Sequence, residues 1–412
     1  MIWDAFADNW YISHPFLALA TADGPAMAYI NGLVWHQGRI GCLLYCPFPG
    51  HCKGSHYYPV CLKPLGDDNT DNDYDDLHLA IYAFATFSDY KNQLNHLTEC
   101  CNQTDYKVRW LRTGIIKPRI FLGLQEKHTL NILQCFRYDI MHLILPNLLD
   151  LLISLWRGTI AGDKEDYLLW DWAVLKGDVW IQHGQDVASM KPYSSFDCPP
   201  CNPAKKINSG YKAWEFLMYI YALGSGLFYN ILLKKYWKNL CLLVSSIRIL
   251  HQFSISTEHL QKAHHSLLTF VLDFEVLYYQ QRANWLHFVG PCVHSLIHMA
   301  PEVHCAGPGI IASQWTMEQA IGDLRSEICQ PSNPYVNLSQ HASLCCQINA
   351  LRSILPELTS SEKSQPHGLK DLKGGVSPEC TLHSICWDEL HACALPQMNH
   401  MLMGQIGCLW EE

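Results

Sequence analysis

Apolar and polar stretches near the N-terminus alternate in a way that predicts a strand, a turn and a helix. The apolar run from Phe16 to Ala22 stops at an acidic turn, and the segment from Ala26 to His36 has helix-like composition. An aspartate at the carboxyl end of a buried strand is where α/β folds place chemistry, because side chains there project from the sheet edge into a crevice. Asp23 is therefore either a candidate catalytic acid or the cap of the helix that follows it.

The chain from about Leu77 to Ser353 is predicted to be mostly helical. Apolar residues recur at helical spacing, and prolines and glycines separate the segments. Gly158 to Ala204 is rich in Trp, Asp and Pro, and we expect it to be irregular. A few N-terminal strands packed on many helices give an α+β fold that is predominantly α. The predicted helices span residues 78–97, 140–156, 212–251, 257–288 and 291–300.

One segment is close in length to a membrane span. Phe216 to Leu233 is apolar for 18 positions if Gly, Ser and Asn are allowed, and charged residues flank it. Its central glycines and Asn230 favour two short buried helices instead. The N-terminus has Asp4 and Asp8 and no basic region before an apolar one, so no secretory signal is predicted. We expect reduced cysteines, no membrane partner, and a cytosolic or nuclear location.

Composition and charge narrow the class of protein. The 412 residues are 49% hydrophobic and 16% charged, so the chain is globular and is neither a disordered tail nor a coiled coil. A net charge of -9 excludes an overall basic coat for nucleic acid. The six aspartates between Asp67 and Asp76 predict a solvated linker. Residues 359–412 are expected to form a poorly ordered tail.

Positive charge is nevertheless concentrated in two stretches. Residues 105–140 and 203–250 each carry more Lys and Arg than Asp and Glu. Such clusters are either the solvated face of a helix or a track for phosphate groups. The candidate DNA-binding side chains of the second stretch are Lys205, Lys206, Lys212, Lys234, Lys235 and Lys238.

A loop rich in cysteine and histidine follows the first predicted helix. Thiolate and imidazole groups within 15 residues could close a tetrahedral zinc site, and zinc would hold together a loop too short to have its own core. The alternative is a set of reduced cysteines packed in the loop. The candidate zinc ligands are Cys42, Cys46, His51, Cys52 and His56.

Three further groups could carry chemistry. Asp139 and His142 begin a long apolar helix and could hydrogen-bond to each other, or be a cap and a core histidine. Glu318 lies in the first turns of a helix, which suits a carboxylate aimed at a metal but is also favourable with the helix dipole. His294 and His298 have the spacing of a metalloprotease pair, but the glutamate of that motif is absent, so the pair lacks a general base.

Several sequence blocks follow one another in a fixed order along the chain: ADGPAMAYINGLVWHQGRIGC, GSHYYPVCLKP, TGIIKPRIFLGL, DIMHLILPNLLDLLISLWRGTI, DWAVLKGD, KINSGYKAWEFL, APEVHCAGPGIIASQWTMEQAIGDL and QPSNPYVNLSQ. Together, over about residues 2–358, they resemble the CACTA-type (En/Spm-like) transposase-derived proteins of mushroom-forming fungi. The resemblance implies a ribonuclease-H-like core that carries an Asp, Asp, Glu triad, with a large helical insertion before the glutamate.

By this resemblance Asp23 is the second acid and Glu318 the third, and we expect the two to lie close together. Asp139 and His142 match the Asp-x-x-His signature between those acids, while Gln319 stands where the family has arginine. Only 22 residues precede Asp23, too few for the strands that would carry the first acid, so the resemblance implies an N-terminally truncated chain. Phosphoryl transfer with two Mg²⁺ or Mn²⁺ ions needs several carboxylates to hold both. We therefore expect a degenerate DNA transposase fragment that is inactive alone.

The resemblance also implies an organisation and a set of partners. A partial ribonuclease-H-like core with the Cys/His loop is expected at 1–66, the acidic linker at 67–76, a helical insertion at 77–300, core helices with the third acid at 301–358 and the tail at 359–412. The implied partners are transposon-end DNA and a full-length transposase, in the nucleus. Two alternatives remain: a non-catalytic DNA- or transposase-binding protein derived from a transposon, and a helical protein with one membrane segment.

Overall fold

The computed structural model describes residues 2–4, 8–46, 48–66, 86–130, 133–190, 199–328 and 332–355. The chain divides into two units, Met1–Gln314 and Trp315–Glu412, and this division falls inside the segment 301–358. The predicted acidic linker at 67–76 and the predicted tail at 359–412 lie outside the described residues.

Helices dominate the described chain, which confirms the predominantly α prediction. The second unit contains α12 (Trp315–Glu327) and α13 (Pro334–Ile354), which pack on each other. π-helical turns occur at Leu143–Asn147 within α4, at Leu217–Ala222 after α7 and at Glu275–Tyr279 after α10. The helices of the first unit are α1 (Gly24–Asn31), α2 (Phe87–Thr98), α3 (Gln103–Thr113), α4 (Ile140–Arg157), α5 (Gly177–Ser189), α6 (Pro203–Lys206), α7 (Ala213–Phe216), α8 (Gly224–Leu227), α9 (Lys234–Leu250), α10 (Thr257–Phe274) and α11 (Pro291–Ala306).

The strands of the described residues form three two-stranded sheets. The antiparallel pairs are β1 (Ile2–Asp4) with β2 (Asn9–Tyr11), and β4 (His51–Lys53) with β5 (His56–Tyr58). The third sheet is parallel and joins β3 (Ala20–Ala22) to β6 (Phe136–Tyr138), with α1 packed against both strands. A parallel pair requires a crossover connection, and here the residues between β3 and β6 make it.

The predicted strand, turn and helix at the start of the chain are confirmed as β3, Asp23 and α1. The helix ends earlier than predicted because Gly32 adopts a left-handed conformation, with φ of 66°. A side chain at that position would also meet the carbonyl oxygen of Lys117, which lies 2.2 Å from where a Cβ would be. The close approach of these two backbones therefore requires glycine.

An aromatic cluster forms much of the core of the first unit. Trp172 is completely buried, and its ring contacts those of Tyr278 at 5.5 Å and Trp285 at 5.6 Å between centroids. The indole N–H of Trp156 donates to the hydroxyl of Tyr278 at 2.9 Å. Edge-to-face aromatic packing of this kind adds to the free energy gained from burial of apolar area.

Three of the helical predictions differ from the structure. The helix expected at 257–288 ends with the π-helical turn at Tyr279, and a separate 3-10 helix follows at Ala283–Phe288. Residues 158–204 were expected to be irregular, but they contain α5, whose interior Gly184 lowers its helix propensity. Gly184 allows close packing, since a Cβ there would lie 2.3 Å from Oδ1 of Asn202 and 2.7 Å from Cβ of Ala204. The helical stretch expected at 212–251 is broken into α7, α8 and α9, and α8 begins at the central glycines, where the sequence favours a division into two short helices.

The apolar window Phe216–Leu233 is divided by these breaks, and most of its first half is buried. Among the described helices, Ile140–Arg157 is long and apolar enough to cross a membrane by length and composition alone, and 61% of it is buried inside the fold. A mostly buried apolar helix is typical of a protein core, so this feature is weak support for a membrane span.

A buried carboxylate holds a short segment that we call the strap, residues 61–65, against the helical body. Glu275, in the π-helical turn after α10, accepts the backbone N–H groups of the first two strap residues at 2.7 Å each. The Gln281 side chain donates to the carbonyl oxygen of Lys63 at 3.0 Å. Burial raises the pKa of Glu275 to about 7, although these N–H groups act in the opposite direction.

The raised pKa of Glu275 predicts a stability that falls as pH increases. The folded state holds this proton more tightly than the unfolded state, so its contribution is complete below about pH 4.5 and is lost as pH rises through about 7. We expect Glu275→Gln to remove up to about 3 kcal/mol of pH dependence from urea unfolding measured between pH 5 and 8. Glu258→Gln, on the exposed first turn of α10, is the control, and an equal loss of slope in that variant would contradict the assignment.

The close approach at Gly184 predicts that Gly184→Ala destabilises the protein, against the usual helix preference. We expect a loss of about 1–3 kcal/mol from overpacking against Asn202 and Ala204, measured by urea unfolding. Gly226→Ala in α8 is the matched control, because no atom lies within 4 Å of its added Cβ, and it should be neutral or stabilising by up to about 1 kcal/mol. Equal stability of the two variants would show that α5 does not pack in this way.

Candidate metal centre

Two cysteines and two histidines converge in the interior of the first unit. Cys42 and Cys46 lie in the loop after α1, and His294 and His298 lie one turn apart on α11. All four side chains are buried, and their ligand atoms lie within 4.8 Å of one another. Residues four apart on a helix share a face, so α11 presents both imidazoles to the loop.

Two of the distances between donor atoms are close to the edges of a zinc tetrahedron. Nε2 of His294 lies 3.1 Å from Nε2 of His298, and Sγ of Cys42 lies 3.5 Å from the latter. Zn–N bonds of about 2.0–2.1 Å and Zn–S bonds of about 2.3 Å give tetrahedral edges of roughly 3.3–3.8 Å. A set of two thiolates and two imidazoles is typical of zinc. These four residues could therefore hold a zinc ion.

Strand β6 joins the two halves of the centre. The Arg137 guanidinium donates to the carbonyl oxygen of Gly307, just past the end of α11, at 2.9 Å. Glu302 on α11 accepts the backbone N–H of Tyr138 at 3.2 Å, and the Tyr138 hydroxyl accepts the N–H of Leu43 at 3.2 Å. One strand is thus hydrogen-bonded both to the cysteine loop and to the histidine helix.

The electrostatics of the cluster favour a thiolate. Burial raises the pKa of the Cys42 thiol, but hydrogen bonds with Cys46 and both histidines and the charge of His298 bring it well below its ordinary value. The hydrogen bond to Cys42 and burial raise the pKa of Cys46. Burial lowers the pKa of His294, whereas the Cys42 thiolate outweighs burial at His298 and raises its pKa. Metals bind the thiolate form, and a bound cation replaces the proton that the cluster otherwise keeps.

Four protein ligands make a closed site. Catalytic zinc sites keep one position open for water or substrate, whereas structural sites fill all four with side chains. Phe48 stacks on the His294 ring with 5.4 Å between centroids, which adds an apolar wall. The arrangement therefore suits a structural metal that connects a loop to a helix.

The sequence predicted half of this centre. Cys42 and Cys46 are members, but His51, Cys52 and His56 lie outside it, because they belong to the β4–β5 hairpin. Cys52 is exposed, and its thiol donates to a hairpin carbonyl oxygen. The other two ligands come from α11. In the sequence, His294 and His298 form only an incomplete protease motif. The signal that points to them as ligands is their helical spacing on a largely apolar helix.

Asp139 and His142 contact each other as predicted. Asp139 is buried, and one carboxylate oxygen accepts both the backbone N–H and the Nδ1–H of His142. The other oxygen accepts the N–H of Gln314 at 2.7 Å. With the amide of Met141 as well, this carboxylate is engaged by several donors and serves as a helix cap and a connector.

The predicted acids Asp23 and Glu318 belong to different units. Asp23 is exposed, follows β3 directly and accepts the N–H of Ala26 at 2.9 Å, so its role as a helix cap is confirmed. Asp139 follows β6 in the same way, since Ala22 and Tyr138 are opposite each other in the parallel pair. Glu318 lies in the first turn of α12, and its proximity to Asp23 stays a prediction.

The basic stretches divide into exposed and buried cations. Five of the six candidate lysines are exposed on α6, at the start of α7 and on α9 without an ion pair among the described residues, while Lys235 pairs with Asp171 at 2.6 Å. Arg119 is buried against the ring of Tyr90, and Arg248 donates to carbonyl oxygens at the end of a π-helical turn. The basic surface is thus smaller than the charge count of the sequence suggests.

The centre predicts that the purified protein contains about one zinc per chain. Cys42→Ser and His298→Gln should each lower zinc affinity at least about 100-fold, beyond the effect typical of residues outside the ligand set, as measured by metal analysis after dialysis against a chelator. Cys52→Ser and His56→Gln are the matched controls and should keep their zinc. Retention of zinc in the first pair with loss in the second would place the metal in the hairpin instead.

No protein-family model, no curated protein and no solved structure matches this chain.

Proposed function

We propose that this chain is a transposase-derived protein that holds a structural zinc ion and binds DNA without cleaving it. The observation that carries the proposal is the parallel pair β3 and β6, with α1 packed on both strands and an aspartate directly after each strand. A ribonuclease-H-like core of the kind implied by the sequence blocks would contain such a unit, with its acids at the carboxyl edge of the sheet.

The state of the two aspartates supports a loss of cleavage activity. Two-metal phosphoryl transfer needs carboxylates that can hold both ions about 3.5–4 Å apart. Asp139 has its oxygens engaged by backbone and side-chain donors, so it is unsuited to bind a catalytic ion. Asp23 is exposed at the same edge, but Asp23 and Glu318 are only two of the three acids of the family's triad, and two carboxylates hold two Mg²⁺ or Mn²⁺ ions poorly.

The metal centre supports a structural role for zinc in this core. The loop that follows α1 and the helix that precedes the candidate third acid are both parts of the resemblance, and Cys42 and His298 bring them together. Zinc at this place would keep the partial ribonuclease-H-like core attached to its helical insertion without taking part in catalysis.

The exposed lysines support DNA as the partner. Lys205, Lys206 and Lys212 lie within a short stretch, and Lys234 and Lys238 lie on one face of α9. When lysines neutralise DNA phosphates, condensed counterions are released, and this release gives an affinity that does not depend on the base sequence. A nuclear location and a full-length transposase as a second partner follow from the same proposal. The burial of Ile140–Arg157 leaves the membrane alternative weaker.

The proposal predicts binding to duplex DNA without nicking. We expect binding that weakens steeply between about 50 and 200 mM salt, measured by fluorescence anisotropy, and no strand cleavage with Mg²⁺ or Mn²⁺. Nicking by the purified chain that disappears in Asp23→Ala and in Glu318→Ala would overturn the non-cleaving part. An absence of binding at low salt would overturn the DNA-binding part.

A further inference from the structure

An exposed aromatic ring stands beside the exposed lysines of α9. Tyr229 lies in the connection between α8 and α9 and is 59% exposed. Its ring meets that of Trp237 edge to face, with 4.9 Å between centroids. Trp237 is held in place because its indole N–H donates to the carbonyl oxygen of Ser225 at 2.7 Å. Tyr229 is thus supported from one side, while more than half of it faces solvent.

Lys234 and Lys238 flank this aromatic pair. Lys234, Trp237 and Lys238 stand at positions i, i+3 and i+4 of α9, so both lysines share one face of the helix with the indole. Neither lysine forms an ion pair within the part of the chain that the structure describes, and α9 contains no Asp or Glu. Lys235, in contrast, is engaged by Asp171. We call Tyr229, Trp237, Lys234 and Lys238 the Tyr229 platform.

The Tyr229 platform combines an exposed aromatic ring with positive charge that no described acid neutralises. A solvated cationic face needs no exposed aromatic ring, and an apolar docking surface would be weakened by two uncompensated ammonium groups. A nucleotide of a single strand satisfies both, because its base has a π-face for stacking and its phosphate accepts from lysine. A duplex satisfies only the lysines, since its bases are stacked on each other inside the helix.

We infer that the Tyr229 platform binds unpaired DNA, with one base stacked on Tyr229 and the neighbouring phosphates at Lys234 and Lys238. The two lysines are about 6 Å apart along the helix axis, so they reach successive phosphates of an extended strand. This inference rests on the proposed function for DNA as the partner, and it adds which form of DNA is bound and by which residues.

The test uses the full chain and a fluorescein-labelled oligo(dT) of about 20 nucleotides, with anisotropy measured at several salt concentrations. Tyr229→Ala should weaken binding about 5- to 150-fold and leave the salt dependence unchanged, because stacking releases no counterion. Tyr229→Phe should retain binding, because the ring stacks and the hydroxyl does not. Lys234→Ala and Lys238→Ala should each reduce the slope of log K against log salt by about 0.7.

Two control variants change residues that are not part of the platform. Tyr335→Ala removes an 86% exposed tyrosine of α13, and Lys262→Ala removes an exposed lysine of α10. Tyr335→Ala should not change oligo(dT) affinity, and Lys262→Ala should not reproduce the loss seen with Lys234→Ala. Circular dichroism melting of every variant identifies any that fail to fold.

The outcomes separate this inference from the proposed function. Wild-type binding to duplex DNA but not to oligo(dT), or equal affinity of Tyr229→Ala and wild type for oligo(dT), overturns the platform and leaves DNA binding standing. A loss in Tyr229→Phe as large as in Tyr229→Ala also overturns it, because stacking would then not be the cause. Binding to neither form of DNA overturns both.

Discussion

The buried cluster of two cysteines and two histidines is the constraint on which the first unit depends. It brings together Cys42 and His298, which are 256 residues apart in sequence. The entropy lost when such distant segments meet must be offset, and burial of Leu43, Tyr45 and Phe48 in the same loop supplies part of that free energy. Metal–ligand bonds would add free energy at one point, because the binding free energy of a structural zinc is part of the folding free energy.

Prediction from the sequence was most accurate where the apolar periodicity of a single element is enough to determine its structure. The parallel strand β3 with its capped helix and the long apolar helix Ile140–Arg157 follow from periodicity and from Asp23. Prediction from the sequence failed where tertiary packing outweighs the intrinsic helix propensity of a segment. Gly184 lowers the expectation of a helix, yet α5 forms because the missing side chain lets it approach Asn202. The breaks between α7, α8 and α9 occur within one continuous apolar stretch, where periodicity gives no boundary.

The candidate site shows the same limit at a longer range. Cys42 and Cys46 were predicted from their neighbours in the loop, and the remaining ligands were sought there as well. Sequence spacing describes distance along the chain, and it cannot show that an apolar helix carrying His294 and His298 packs over that loop. Composition overestimates the basic surface for a related reason: Arg119 and Arg137, which composition counts as basic, are buried.

The strap gives the metal-binding loop a second attachment to the helical body, and this affects the lifetime of a bound metal. Cys42 and Cys46 are fixed at one end, and at the other the strap is held by Glu275 and by Gln281. Removal of a bound metal by a chelator requires the loop to move outward, and that movement would also have to break the hydrogen bonds of the strap. The rate of metal release would therefore depend on local opening of the helical body as well as on the strength of the four metal–ligand bonds. Exchange would be slow even where the equilibrium affinity is ordinary.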